Sequence, residues 1–139
     1  MKKIIIITVL FFITISANIN AQVSVIANKS VSESEISKAK LSEIYTLSAS
    51  KWKSGDKIVV YDLKSEGKTR SEFYSFLGKS PDDLKKTWMR AQLTGEGTAP
   101  KSLGSEYEIL EKVAATTGAI GFIASDKVNG TVKVLLTIK

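Results

Sequence analysis

The residues with the most chemical content lie in one short stretch, Ser65-Glu66-Gly67-Lys68-Thr69-Arg70. It follows the apolar run Lys57-Ile58-Val59-Val60-Tyr61-Asp62-Leu63. A strand that enters a small polar turn and leaves as a helix puts the first helical N–H groups at the turn, without intrahelical partners. The helix dipole adds partial positive charge there, so such a turn can hold an anion such as phosphate. The spacing predicts Thr69 as N-cap, with Glu72 closing a capping box. Gly67-Lys68-Thr69 looks like the end of a P-loop, but that motif needs glycine where Asp62 stands, so a nucleotide-binding loop is excluded.

The rest of the catalytic inventory is thin. The chain has no His and no Cys, which removes Ser-His-Asp triads, thiol nucleophiles and zinc sites built on N or S ligands. The acids Asp82-Asp83 and Glu106, Glu108 and Glu111 fall on helix starts and solvent faces, and no pair of them reads as general acid and base. No catalytic residue, metal site or cofactor is expected.

The turn needs a scaffold, and the patterning supplies one. Residues 1–21 read as a signal peptide. Lys2 and Lys3 precede the apolar run Ile4–Ile15, and Ala21 ends the segment. An uncleaved anchor is the alternative, although the run is short for a membrane span. Residues 22–139 then form a single compact domain, exported to the periplasm or secreted. Lys2 and Lys3 are the only charges in the leader, so 18 basic and 14 acidic residues remain and the net charge is +4. The charges are scattered and aromatics are few, which argues against nucleic acid as a partner.

Val23–Ala27 reads as a first strand. Ser32 and Glu35 form a capping box for a helix over about 34–46. Ile58–Leu63 is a second strand, apolar enough to be parallel and buried on both faces. A helix from Thr69 ends at Gly78. Ser80-Pro81-Asp82-Asp83 starts another, with Leu84, Trp88 and Met89 as its apolar stripe. Residues 94–100 form a loop. Ser105 and Glu108 open a helix that stops at Gly118. Ala119–Ala124 is a third strand. Asn129-Gly130 signals a hairpin leading into a strand over 131–138, with Val132, Val134, Leu136 and Ile138 on one face. Trp52 either packs over the sheet edge or lines a ligand mouth. The alternation predicts an α/β fold, a sheet flanked by helices.

Several of these pieces occur together in one known family. Ile36-x4-Leu41-x2-Ile44-Tyr45 followed by Lys51-Trp52-x2-Gly55-x2-Ile58 resembles a segment of the phosphate-binding solute receptors of ABC transporters. Gly67, Lys68, Thr69, Arg70 and Phe73 align with that family's S-G-T-R-x-x-F motif without a gap. Trp88, Thr94-Gly95-x-Gly97 and Gly118-Ala119-Ile120-Gly121-Phe122 resemble the rest of its signature.

The resemblance implies a type II periplasmic-binding-protein fold with a mixed sheet. It implies phosphate or a related oxyanion as ligand, held at Ser65, Gly67, Lys68, Thr69 and Arg70, and a transporter permease or another envelope protein as partner. The alternative is an interaction module that keeps the fold without a ligand. Thr69 matches the motif's hydroxyl, whereas Gly67 replaces its Ser and Lys68 its Gly. Leu63 stands in place of the family's ligand Arg, and Ser65 in place of the Asp that accepts a phosphate proton. A chain of 118 residues is too short for two lobes. Ser24, Asn28 and Ser30, around the end of the first strand, are the candidates to supply the missing ligands, and a homodimer would rebuild the cleft another way.

Overall fold

The computed structural model describes residues 22–139. The leader, and with it the expected signal peptide, lies outside the described residues. Five strands, β1 (Val23–Ala27), β2 (Val59–Leu63), β3 (Lys101–Leu103), β4 (Ala119–Ala124) and β5 (Lys133–Ile138), form one sheet in the order β3-β2-β4-β1-β5. The sheet is mixed. β2 runs parallel to β3 and β4, while β1 is antiparallel to β4 and β5.

Helices α1 (Lys38–Tyr45), α2 (Lys68–Leu77), α3 (Pro81–Thr94) and α4 (Glu106–Ala115) cover the two faces. Neighbouring residues of β4 divide them, because successive side chains of a strand point to opposite faces. Gly121 faces Ile109 and Val113 of α4. Phe122 stacks on Phe73 of α2, with ring centroids 3.7 Å apart and planes at 4°. Tyr45 of α1 packs edge-on against Phe73, and Trp88 of α3 donates from Nε1 to the Tyr45 carbonyl at 2.6 Å. Trp52 is buried and donates to the Gly118 carbonyl at 2.9 Å, so it packs and does not line a ligand mouth.

Local signals set three helix starts. Ser37, Ser80 and Ser105 each accept from the third residue on. The expected box at Ser32 and Glu35 does not form, and α1 begins at Lys38 rather than near 34. The buried Glu33 carboxylate accepts from the Lys53 N–H at 2.8 Å and from the Ser32 hydroxyl at 3.0 Å. That carboxylate clips the segment to the loop before β2 and keeps it extended. Met89 is 64% exposed and lies outside the α3 stripe, which is Leu84, Trp88 and Ala91.

The C-terminal segment departs from its expected pattern. β4 and β5 do not form a hairpin, because β1 lies between them and they run parallel. Asn129-Gly130 instead turns the connection that returns across the sheet. A bulge between Val25 and Ile26 pairs them with Leu136 and Val134, so Leu135 is the extra residue. Leu135 is consequently buried, while Val134 turns outward. β3 has no counterpart among the expected elements. Its three residues pair with Tyr61, Asp62 and Leu63 on the outer edge of β2.

Candidate functional site

β2 and β4 both end at the same edge of the sheet, and the turn 64–67 leaves from it into α2. Gly67 is the N-cap of α2, at φ 157° and ψ −176°, and no side chain caps the helix. The first intrahelical bond runs from the Ser71 N–H to the Gly67 carbonyl at 3.0 Å. The N–H groups of Lys68, Thr69 and Arg70 are left facing the turn. This corrects the expected cap: Thr69 lies one residue inside the helix and Gly67 takes its place. The other three helices begin at a serine hydroxyl, so among the described residues α2 is the α-helix whose first N–H groups are open.

Arg70 is fixed by two groups. Its Nε donates to the Leu63 carbonyl at 2.9 Å, and its guanidinium lies 5.0 Å from the centroid of the Tyr74 ring. The Tyr74 hydroxyl in turn donates to Asp62 Oδ1 at 2.7 Å. Asp62 is 2% exposed. Burial pushes its carboxyl above the ordinary value, against the pull of the Tyr74 hydroxyl and the Arg70 charge. Leu63 is buried in the core and offers no ligand. Arg70 therefore brings a guanidinium from the helix to the end of the strand, with Nε bound to the Leu63 carbonyl.

The other expected ligands are spread unevenly. Ser65 and Lys68 are exposed, and Lys68 lies 3.9 Å from Glu72 on its own helix. Asn28 does not join the turn. Its N–H donates to the Ala119 carbonyl, at the start of β4, which is the opposite edge of the sheet. There its side chain donates to the carbonyls of Val113 and Ala114 and accepts from the Ser30 N–H, tying β1 to the end of α4. Ser30 sits at that same far edge and accepts from the Gly118 N–H. Ser24 is on the near edge, but its hydroxyl is bonded to the Ser125 hydroxyl at 2.7 Å.

The spacing of the sequence does not single out Asp62 and Tyr74. An acid inside an otherwise apolar strand, and an Arg–Tyr pair four residues apart on a helix, are the available signals. Glu106, expected as solvent charge, accepts from the Ala124 N–H at 2.6 Å and from Lys127, at the end of β4. Burial would raise its carboxyl, but Lys127, the Ala124 N–H and the Thr69 hydroxyl together hold it below the ordinary value.

A stability prediction follows from Asp62. Its folded carboxyl binds a proton more tightly than the unfolded one, so stability falls as pH rises through the interval between the two and stays lower above it. Asp62→Asn keeps an acceptor for Tyr74 and removes the buried charge. Urea unfolding should show the Asp62→Asn variant more stable than wild type at neutral pH, with the advantage shrinking as the pH falls towards about 4 and absent below it.

The sequence matches no protein-family model and no curated protein. Solved structures do match. An ABC-type phosphate transport receptor from Vibrio cholerae superposes with a TM-score of 0.65 at 20% identity, over 83% of this chain and 45% of that one. A Clostridium perfringens protein with bound phosphate, described as a substrate-binding protein of a phosphate ABC transporter, gives 0.69 at 19%, over 83% and 44%. PstS from Borrelia burgdorferi gives 0.62 at 15%, over 83% and 46%. The fold is that of these phosphate receptors. The chain spans less than half the length of each of them. These solved structures are binding proteins, and among the described residues no helix is long and apolar enough to cross a membrane.

Proposed function

We propose that this chain is an exported, non-enzymatic oxyanion receptor that binds phosphate or a related anion at the turn 65–70. The observation that carries the reading is the pairing of open N–H groups at Lys68, Thr69 and Arg70 with the fixed guanidinium of Arg70. Charge-assisted hydrogen bonds from a guanidinium and backbone amides are the strong contacts available to a desolvated oxyanion. The fold shared with phosphate receptors supports the same ligand class. Lys68 contributes a flexible charge at the rim, and Ser65 replaces the acid that would select a protonated anion, so sulfate should compete with phosphate. Residues 1–21 act as the export signal in this reading, and a permease or another envelope protein is the partner. A second copy of the chain is the other candidate partner.

Calorimetric titration of residues 22–139 with phosphate and with sulfate, at low salt, tests it. These residues contain every strand of the sheet and the whole described core. The expected result is saturable binding of both anions at one site. Lys68→Ala should weaken it by no more than about threefold, as befits an exposed charge. Absence of heat, together with no thermal stabilisation by either anion, would replace this reading with the interaction module, for which the buried Leu63 in place of Arg already speaks.

A further inference from the structure

The turn opens into a groove that is larger than an orthophosphate needs. The groove has a volume of about 510 Å³ and runs along α2 to its junction with α3. Gly67, Arg70, Ser71, Tyr74, Ser75 and Gly78 share one face of α2 because they recur every three or four residues. Lys79 and Ser80 close the far end. At about 1.5 Å per residue, Gly67 and Gly78 are separated by roughly 16 Å along the helix. The groove thus has Arg70 near one end, Lys79 at the other and the hydroxyl-bearing Ser71 and Ser75 between them. Glu66 is the one acid on its lining, beside the turn. Lys79 makes no ion pair among the described residues. A five-atom oxyanion would occupy one end and leave Lys79 and the serines unused.

We infer that the ligand is a linear oligophosphate, with its terminal phosphoryl group at Gly67 and Arg70 and a later group at Lys79. The inference rests on the oxyanion reading of the turn and names its substrate class. An elongated polyanion can bind along an open groove through several charged and hydroxyl contacts.

The test compares orthophosphate with tripolyphosphate by calorimetry on residues 22–139, in wild type, Lys79→Glu and Lys112→Glu. Lys79 and Lys112 are both exposed. Lys112 lies on α4, across the sheet from the groove, and its variant carries the same change in net charge. The expected result is tripolyphosphate binding at least about tenfold tighter than orthophosphate in wild type and in Lys112→Glu. In Lys79→Glu that ratio should collapse towards one. Equal affinity for the two anions would overturn the inference and leave the orthophosphate reading standing. An equal loss of the ratio in both variants would do the same, because it would reveal attraction by net charge alone. Failure of both anions to bind would overturn the two readings together.

Discussion

Gly118→Ala should cost this protein about 3 kcal/mol or more, the range of strained-backbone and overpacking substitutions. Gly118 has φ 75°, and a Cβ there would fall well inside contact distance of the Lys57 carbonyl oxygen, a backbone atom that cannot rotate away. The residue is a knot. Its carbonyl accepts from Trp52 Nε1 at 2.9 Å and from the Val59 N–H at 3.1 Å, and its N–H donates to the Ser30 hydroxyl at 3.1 Å. Moving it to admit a methyl group would pull on the starts of β2 and β4 at once. Gly95→Ala separates the two causes. Gly95 has φ 74° but open space around its Cβ position, so only the left-handed backbone penalty of about 1–2 kcal/mol applies. Thermal unfolding followed by circular dichroism should place the Gly118 variant on the order of 10 °C below wild type, with the Gly95 variant between them. Equal effects would mean that the backbone angle alone matters and that the contact with Lys57 relaxes freely.

The contrast between Ser80 and Ser32 shows what kind of structure a sequence makes legible. Where an element's ends are settled by its own neighbours, local residues suffice. Ser80-Pro81-Asp82-Asp83 starts α3, with Ser80 accepting from the Asp83 N–H, because cap, ring and acids act within one turn. β1 and β4 are legible to the residue from their largely apolar runs. Ser32 and Glu35 carry the same kind of local signal and lose to a distant one, the Lys53 N–H that captures Glu33. β5 loses its period of two to a bulge that exists only because β1 pairs with it. Asn129-Gly130 marks a turn, but whether a turn makes a hairpin depends on which strand inserts beside β4, and no local residue encodes that.

The candidate site divides in the same way. The strand–turn–helix frame around Ser65–Arg70 is visible, since glycine and the end of an apolar run are local facts. Asn28 is drawn to it only because order along the chain gives no edge of the sheet; the antiparallel pairing of β1 with β4 sends Asn28 to the far side. Arg70 is legible through its alignment, but what fixes it is tertiary. Its Nε bond goes back seven residues to Leu63, and the ring beneath it is held by an acid on the strand.

That arrangement makes Arg70 the substitution with the largest expected effect on binding. Hydrogen bonds to a charged group are worth about 1.5–3 kcal/mol, so Arg70→Ala should weaken phosphate binding by roughly 10- to 150-fold, read by the same titration. Arg70→Lys decides between charge and geometry. A lysine keeps the charge but has no planar fork, and its single ammonium cannot donate to Leu63 and to an anion in the directions a guanidinium allows. If position 70 works as a pre-oriented fork, the lysine variant should recover less than half of the lost binding free energy. Tyr74→Ala should then resemble it, because the guanidinium would lose the ring that holds its plane while the helix keeps its open N–H groups. Tyr74→Phe preserves the ring and drops only the bond to Asp62, so its binding should stay close to wild type. Full recovery by lysine would instead make the turn a site of diffuse positive potential. In that case the backbone N–H groups of Lys68 and Thr69 would carry the orientation, and the bond from Arg70 to Leu63 would serve only to close the end of β2.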